Sequence, residues 1–255
     1  MAALLQTQGE GSEGAAAPPP RVAIPSYKRS GIIANLTLGF LEHEGYPPDR
    51  IYIFVVPEEV QLYRALPAHL YREIVVGVPG LKEQRNFITN YFPEDEILIH
   101  MDDDISTIKT SPAMSFLDLV RRGVAALGPE VGIWGIMPND DGRKMRANTT
   151  THLAHLIGTF TICRNHSALQ LTTAEKDDFE RTILYFKKYG KVARYQGAGA
   201  VTKYEKTPGG LQSAGRRERM LLAIAYIIEK YPQFVKRVMK PKGEDIILDW
   251  RAKSQ

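Results

Sequence analysis

Short apolar runs alternate with longer amphipathic stretches along the first half of the chain. The runs are continuous and rich in branched side chains, which is typical of strands covered on both faces. The stretches between them repeat apolar residues at helical spacing. This alternation predicts right-handed crossovers and an α/β fold, with a mainly parallel sheet flanked by helices. The predicted strands cover residues 22–25, 51–56, 74–78, 97–101 and 131–136, and the predicted helices cover 31–43, 57–66, 80–91 and 112–127.

The second half of the chain has a less regular pattern. It predicts strands over 153–163, 192–195 and 200–204, helices over 179–189 and 213–230, and a polar loop or lid over 139–151. No repeat or convincing boundary divides residues 21–255, so we expect a single domain there. Residues 1–20 are rich in Ala, Gly, Gln and Pro, which predicts a disordered leader.

Three consecutive aspartates, Asp102, Asp103 and Asp104, follow the predicted strand 97–101. On an extended backbone Asp102 and Asp104 would project together, about 6–7 Å apart. At an effective dielectric constant of about 20 they would repel by about 2–3 kcal/mol. A divalent cation removes that repulsion, whereas a solvated acidic turn is the alternative. The carboxyl ends of parallel strands are where ligands bind, which favours the cation.

Two further segments carry groups that could bind a nucleotide. After the first predicted strand, Ser26 could hydrogen-bond a base or ribose, Tyr27 could stack on a base, and Arg29 could pair with a phosphate. One turn into the third predicted helix, Arg85 offers a second charged fork and Asn86 a polar amide. Each segment also has an ordinary interpretation. The first can be a plain strand-to-helix turn, and the second a helix with a surface arginine.

An acidic cluster at residues 175–181 spans the start of the predicted helix 179–189. The helix dipole stabilises carboxylates at a helix N-terminus, so capping is the simple interpretation. A carboxylate near an acceptor hydroxyl could instead act as a general base, if its pKa suits. His155 could contact a metal or an acceptor, although a hydrogen-bonded structural histidine is the more frequent role.

Charge is unevenly distributed along the chain. Residues 181–255 carry 17 Lys and Arg against 6 Asp and Glu, whereas residues 1–180 carry 16 against 23. A solvated helical face is the simple explanation. The functional interpretation is a C-terminal third that binds a polyanion and an acidic N-terminal part that holds a cation.

The composition of the chain indicates its cellular location. No apolar run approaches the roughly 20 residues that a membrane span needs. The start of the chain lacks the basic segment of a secretory signal. Cys163 is the only cysteine, which excludes an intrachain disulfide and fits a reducing compartment. We therefore expect a soluble intracellular protein, cytoplasmic or nuclear, with no membrane partner and with Cys163 buried as a small hydrophobe.

The order of these segments resembles that of the GT-A class of nucleotide-sugar glycosyltransferases, over roughly residues 21–195. The resemblance implies a single-domain GT-A fold that transfers a sugar from a nucleotide-sugar donor to a hydroxyl acceptor. A divalent cation, Mn²⁺ or Mg²⁺, would be held on the donor diphosphate by Asp102 and Asp104, with Asp103 or Asp102 on the ribose. The resemblance also implies a nucleotide pocket lined by Ser26, Tyr27, Arg29, Arg85 and Asn86, and a general base at Asp178 or, second, at Asp177.

A second resemblance involves the C-terminal part. Residues 202–211 and 216–219, taken with the segments above, resemble the TET/JBP-associated glycosyltransferases over most of residues 21–240. That family implies a hydroxymethylated pyrimidine in DNA as the acceptor, with the base flipped out or single-stranded so that the pocket reaches its hydroxyl. The alternatives are a nucleotidyltransferase of related fold and an inactive transferase-like domain that binds nucleic acid.

Overall fold

A central sheet of nine strands runs through the described part of the chain, which covers residues 18–202, 215–241 and 243–254 of this computed structural model. The strands are β1 (Arg21–Pro25), β2 (Ile51–Val55), β3 (Glu73–Val76), β4 (Ile97–Met101), β5 (Ile105–Thr110), β6 (Val131–Met137), β7 (Thr149–Thr150), β8 (Phe160–Arg164) and β9 (Lys191–Thr202). They lie side by side in the order β3-β2-β1-β4-β8-β6-β9-β5, and β7 pairs with β9.

Helices pack on both faces of this sheet. They are α1 (Thr37–His43), α2 (Val60–Arg64), α3 (Leu81–Tyr91), α4 (Phe116–Ala126), α5 (Asp177–Tyr189) and α6 (Arg216–Lys230). Buried residues of α1, α2 and α4 join one core cluster, while α3 and α5 contribute to clusters on the other face. After α6 the chain forms a separate antiparallel hairpin of β10 (Val235–Lys240) and β11 (Gly243–Leu248).

Strand direction brings several strand ends to one place. Strand β1 is parallel to β2 and β4, β2 is parallel to β3, and β6 is parallel to β9. Strand β8 is antiparallel to both β4 and β6, so β4 and β6 point the same way. Six of the nine strands in the described sheet therefore end at one edge, called here the carboxyl edge. The predicted α/β architecture with a mainly parallel sheet is confirmed.

The apolar runs of the sequence are continuous because both faces of the sheet are covered. In β1, Val22 and Ile24 are buried in the cluster formed with α1, α2 and α4, while Ala23 is buried in the cluster formed with α3. Burying one such aliphatic side chain stabilises the fold by about 1.5–3 kcal/mol. Cys163 is buried and unpaired, as predicted.

Helices α1 and α4 begin later than predicted, and α1 begins at Thr37 instead of residue 31. Ser111 and Pro112 have the residue types of a helix start, but α4 begins at Phe116. Its cap is Ser115, whose Oγ accepts a hydrogen bond from the Asp118 N–H at 3.1 Å. The residues before Ser111 pair with β9 as strand β5 instead. Both serines can cap a helix, and the long-range strand pairing decides between them.

The strand predicted over 153–163 is also shorter than expected. Leu153 and Leu156 are buried in the core beneath α5, yet only Phe160–Arg164 forms a strand. The short strands predicted over 192–195 and 200–204 lie in one continuous strand, β9, as far as Thr202. The β10–β11 hairpin was not predicted, because its exposed charged residues hide the alternating pattern.

Some predictions concern residues that the structure does not describe. Residues 203–214 contain most of the basic segment 202–211 and the predicted start of the last helix, and residues 1–17 contain most of the predicted leader. The division into a leader and one domain therefore stays a prediction. Among the described helices, none combines the length and the apolar character needed to cross a membrane. The intracellular location stays a prediction as well.

A buried carboxylate fastens α5 to its surroundings. The Glu180 side chain has no exposed surface, and its Oε2 accepts hydrogen bonds from the N–H groups of Thr172 at 2.7 Å and Thr173 at 3.0 Å. Its Oε1 accepts from Tyr231 Oη at 2.9 Å and from Lys230 Nζ at 3.2 Å. Burial alone would raise the pKa of Glu180, but the hydrogen bonds from Thr172, Thr173 and Tyr231 outweigh it and lower the pKa.

Replacing Glu180 with glutamine should lower the free energy of unfolding by about 2–3 kcal/mol at neutral pH, because hydrogen bonds to a charged acceptor are lost. A lowered folded-state pKa means that this stabilisation is complete above pH 4.5 and is lost as the pH falls through the folded pKa. Urea unfolding from pH 3 to pH 7 should therefore show a difference between wild type and Glu180→Gln that shrinks below about pH 4.5. A pH-independent difference would contradict the assignment.

Candidate active site

The three aspartates form a turn at the carboxyl edge, directly after β4. Thr37 of α1 holds this turn: its Oγ1 donates to the Asp102 carbonyl at 2.7 Å and accepts from the Ile105 N–H at 3.0 Å. The Asp102 N–H donates to the Thr159 carbonyl at 3.0 Å. The acidic turn is thus fixed on both sides. Sequence patterns did not reveal the role of Thr37, because a threonine at a helix start does not indicate locally that its hydroxyl contacts a distant backbone group.

Asp103 and Asp104 share one arginine. Arg29 Nη1 lies 2.6 Å from Asp103 Oδ1 and 3.0 Å from Asp104 Oδ2, and all three residues are buried. Ser26 Oγ donates to Asp103 Oδ2 at 2.5 Å. Burial and the neighbouring Asp102 raise the pKa of Asp104 to about 6, although Arg29 opposes the shift. Burial also raises the pKa of Asp103 against the effect of Arg29.

A tyrosine supports the turn that carries Arg29. Tyr63 Oη lies 2.7 Å from Ser26 Oγ and accepts from the Arg29 N–H at 3.2 Å. Burial raises the pKa of Tyr63 to about 12, so its hydroxyl stays protonated. Lys28 adopts a left-handed φ of +57° between these residues, and its N–H donates to Glu59 Oε2 at 2.8 Å. These contacts fix the conformation of the turn. Tyr63 is a second supporting residue that local sequence patterns did not reveal.

Tyr27 points away from this buried network. It is 37% exposed, and Lys28 Nζ lies 5.0 Å from its ring centroid. An exposed aromatic ring at the carboxyl edge suits the predicted stacking role, which stays a prediction.

Arg85 joins the acidic turn to α5. Its Nη2 lies 3.1 Å from Asp102 Oδ1, and its Nε lies 2.8 Å from Asp177 Oδ2. The Arg85 side chain is only 4% exposed, whereas that of Asp102 is 33% exposed. Burial raises the pKa of Asp177 to about 6, with Arg85 acting against the rise and Asp178 adding to it. One buried guanidinium thus brings together two acidic motifs that lie far apart in the sequence.

Asn86, the neighbour of Arg85, has another role. Its Oδ1 accepts from the Leu171 N–H at 2.8 Å and its Nδ2 donates to the Leu171 carbonyl at 2.9 Å. Both polar atoms of the amide are therefore used by the main chain ahead of α5. The geometry gives Asn86 a structural role and does not bring it together with the predicted nucleotide contacts.

Asp178 pairs with a histidine. His155 Nε2 lies 2.7 Å from Asp178 Oδ2, and the Phe179 N–H donates to Asp178 Oδ1 at 2.9 Å. The His155 ring stacks on Phe179, with centroids 4.1 Å apart and planes 16° apart. Burial alone would raise the pKa of Asp178, but His155, together with Lys176 and the Phe179 N–H, outweighs it and lowers the pKa. His155, for which the sequence left both a metal or acceptor contact and a structural role open, lies within the candidate site.

The carboxylates of the acidic turn fit a cation whose coordination is completed by a bound substrate. Among the described residues there is no group of three or more His, Cys, Asp or Glu side chains that could hold a metal ion. Mg²⁺ and similar cations are often bound by one or two carboxylates, with substrate phosphates filling the remaining positions. The carboxylates of Asp102 and Asp104 on one rigid turn match that pattern.

Comparison with known proteins identifies the fold. Neither a protein-family model nor a curated protein matches the sequence. Residues 1–349 of S. aureus TarS match with a TM-score of 0.52 and 16% identity, over 82% of this chain and 65% of that one. Glucosyl-3-phosphoglycerate synthase from Mycobacterium tuberculosis, in complex with Mn²⁺, UDP and glucosyl-3-phosphoglycerate, matches with 0.53 and 11%, over 92% and 88%. The chain has a GT-A fold.

The GT-A fold agrees with the strand order and with the place of the acidic turn. At these identities the likeness concerns the fold alone, and the chain spans less than two thirds of the TarS fragment. Because no family model matches, membership of the TET/JBP-associated family is not confirmed.

Proposed function

We propose that this GT-A protein is a nucleotide-sugar glycosyltransferase that depends on a divalent cation. The observation that carries the proposal is the bridge made by Arg85, which joins Asp102 on the acidic turn to Asp177 at the start of α5. The carboxylates of the acidic turn are of the kind that holds a cation on a donor diphosphate. The carboxylates at the start of α5 are of the kind that deprotonates an acceptor hydroxyl. Sugar transfer with inversion at the anomeric carbon requires both at one place.

The donor side is formed by the acidic turn and Arg29. Asp102 and Asp104 are the proposed ligands of Mn²⁺ or Mg²⁺, which when bound would neutralise charge on the leaving diphosphate. Arg29 Nε and Nη2 are buried and have no hydrogen-bond partner among the described residues. Asp103 already accepts hydrogen bonds from Ser26 and Arg29 at both oxygens. We therefore favour Asp102, which is more exposed, over Asp103 as the ribose contact.

On the acceptor side, we assign Asp178 in preference to Asp177 as the general base. Asp177 forms an ion pair with the buried Arg85, so its carboxylate is already engaged. Asp178 has a lowered pKa, is ionised at neutral pH, and keeps 21% of its side-chain surface exposed. His155 orients the Asp178 carboxylate from one side through the 2.7 Å contact.

A hydroxymethylated pyrimidine in DNA is our proposed acceptor, supported by the uneven charge of the sequence. The structure reduces that support, because several C-terminal cations are paired with carboxylates. Lys230 lies 3.2 Å from Glu180, and Lys236 lies 2.8 Å from Asp249. The positive charge that supports a DNA acceptor is therefore smaller than the sequence suggested. The donor side of the proposal does not depend on this acceptor.

A donor panel tests the function. UDP- and GDP-sugars are incubated with the protein, with or without Mn²⁺, and with an oligonucleotide that carries hydroxymethylcytosine. Release of nucleoside diphosphate that requires Mn²⁺, together with a mass gain of the oligonucleotide, is the expected result. Release of pyrophosphate from nucleoside triphosphates would indicate a nucleotidyltransferase instead. DNA binding without any turnover would indicate an inactive domain.

His155 supplies a test of the proposed base. In His155→Gln, kcat/KM for transfer should fall about tenfold or more, because Asp178 loses its orienting partner. Loss of His155 should also raise the pKa of Asp178 and move the acidic limb of the pH–rate profile to higher pH. His152→Gln is the matched control, since His152 is exposed and packs on Trp250 at 6.1 Å. Equal profiles for His155→Gln and wild type would argue against the assignment.

A further inference from the structure

An ion pair joins the C-terminal β10–β11 hairpin to the start of α5. Lys176, the residue directly before α5, places its Nζ 2.6 Å from Oδ1 of Asp245 on β11. Both side chains are mostly buried, with 14% and 17% of their surface exposed. Within the hairpin, Lys240 Nζ lies 2.8 Å from Asp245 Oδ2, and the Ile246 N–H donates to Asp245 Oδ1 at 2.8 Å. Asp245 is therefore held by its own hairpin and offers Lys176 a fixed partner.

The Asp245 carboxylate is charged at neutral pH. Burial alone would raise the pKa of Asp245, but the hydrogen bonds from Lys176, Lys240 and the Ile246 N–H outweigh it and lower the pKa to about 2. A partly buried pair of this kind is screened by salt much less than a pair on the open surface. The contact between Lys176 and Asp245 therefore persists at physiological ionic strength.

The backbone of Lys176 has an uncommon conformation. Its φ is +62°, in the left-handed region that a residue with a side chain seldom adopts. The Lys176 carbonyl accepts hydrogen bonds from the N–H groups of Phe179 at 3.1 Å and Glu180 at 3.2 Å. Its side chain makes no capping hydrogen bond to the helix and reaches the hairpin instead. The place of Lys176 thus determines where the first turn of α5 begins.

A series of contacts leads from Lys176 to the proposed base. Lys176 Nζ lies 5.0 Å from the centroid of the Phe179 ring, on which the His155 ring stacks at 4.1 Å. His155 Nε2 lies 2.7 Å from Asp178 Oδ2, and the Phe179 N–H donates to Asp178 Oδ1 at 2.9 Å. Both oxygens of the Asp178 carboxylate are therefore held by groups whose position depends on the start of α5.

We propose that Asp245 is a positioning residue, which fixes the first turn of α5 through Lys176 and thereby directs the Asp178 carboxylate. The inference rests on the proposed function, in which Asp178 is the general base. A base must lie within hydrogen-bond reach of the acceptor hydroxyl, so a displacement of about 1 Å impairs proton transfer. The hairpin lies outside the central sheet, yet it completes the acceptor side of the site.

Kinetics of variants at both ends of the ion pair test this role. Asp245→Asn and Lys176→Met should each lower kcat for transfer about fivefold or more, because the base is misplaced. The KM for the nucleotide sugar should not change, since the donor binds at the acidic turn. The double variant should be no slower than Lys176→Met alone, because Asp245 acts through Lys176. Unchanged kcat in both single variants, or independent losses that multiply in the double variant, would overturn the proposal.

The matched control is Asp249→Asn. Asp249 follows β11 and pairs with Lys236 of β10 at 2.8 Å instead of with a residue of α5. Its kcat should equal that of the wild type. A loss equal to that of Asp245→Asn would show that the hairpin acts only through its general stability, which contradicts the proposal.

The pH–rate profile separates positioning from a purely structural role. The charged groups around Asp178 are His155, Lys176, Arg85 and Asp177. Burial raises the pKa of Asp178, and His155 and Lys176 are among the groups that lower it. Lys176→Met should therefore move the acidic limb to higher pH, whereas Lys176→Arg, which keeps the charge, should restore it. A lower melting temperature with an unmoved acidic limb would indicate a structural role only.

Hydrogen exchange tests the same contact without catalysis. In the full-length protein, the amides of Phe179 and Glu180 should exchange about tenfold faster or more in Asp245→Asn than in the wild type, because their acceptor at Lys176 is no longer fixed. Asp249→Asn should leave this exchange unchanged. Equal exchange in Asp245→Asn and wild type would overturn the proposal. If the wild type transfers no sugar, the proposed function fails, and hydrogen exchange alone decides whether Asp245 fixes the start of α5.

Discussion

Replacing Asp104 with asparagine should abolish cation-dependent sugar transfer, lowering kcat/KM by at least about a hundredfold. The variant removes one of the two carboxylates proposed to hold the cation on the donor diphosphate. It keeps the side-chain shape, and Arg29 retains its 2.6 Å ion pair with Asp103. The fold should therefore survive, with a melting temperature close to that of the wild type. Initial rates of nucleoside diphosphate release over a Mn²⁺ titration measure the effect.

The control for this variant is Asp49→Asn. Asp49 is exposed and lies in the short turn before β2, at the opposite edge of the sheet from the acidic turn. Transfer by Asp49→Asn should equal that of the wild type, so a general effect of losing one negative charge is excluded. A well-folded Asp104→Asn protein with wild-type rates would show that Asp104 does not bind the cation.

Replacing Arg85 with methionine should lower the free energy of unfolding by about 3–5 kcal/mol, because carboxylates at a buried site lose their partner. Arg85 is nearly fully buried between Asp102 and Asp177, and methionine fills much of its volume without the charge. The pKa of Asp177, now about 6, should rise further without Arg85. Urea unfolding at neutral pH measures the stability loss, and it should be smaller at pH 5, where Asp177 is more often protonated.

Two further variants keep this prediction testable. Arg85→Lys keeps the charge but cannot reach two carboxylates with a planar fork, so it should fold and still lose transfer about tenfold or more. Lys82→Met is the matched control on the same helix, because Lys82 pairs with the neighbouring Glu83 at 2.9 Å. Lys82→Met should change neither stability nor transfer noticeably. Wild-type transfer by Arg85→Lys would mean that the two acidic motifs do not act together.

The predicted and the observed site agree where the chemistry follows directly from strand order. The apolar runs identify β1 and β4, and in a parallel sheet their carboxyl ends meet at one edge. Ser26, Arg29 and the acidic turn therefore come together as expected. Asn86 differs, because its amide is satisfied by Leu171, whose place depends on the path of the chain before α5.

The residues that support the site show the limit of local patterns. Thr37, Tyr63 and His155 each act through a partner distant in sequence, as in the contact between His155 and Asp178. A hydroxyl or an imidazole has many possible partners, and its neighbours along the chain do not restrict the choice. The same reason explains the wrong cap of α4, since Ser111 and Ser115 have equal chemistry and only the pairing of β5 with β9 separates them.

The sequence by itself determined the α/β class, the strands that carry the site, and the acidic turn with its charge repulsion, because hydrophobic periodicity and charge spacing are local properties. Only the tertiary structure decided that Arg85 joins Asp102 to Asp177, that His155 pairs with Asp178, and that the C-terminal cations are partly neutralised. These contacts depend on how elements far apart in the chain pack. A buried ionic group accepts whichever partner the packing brings within reach, since leaving it unpaired costs several kcal/mol.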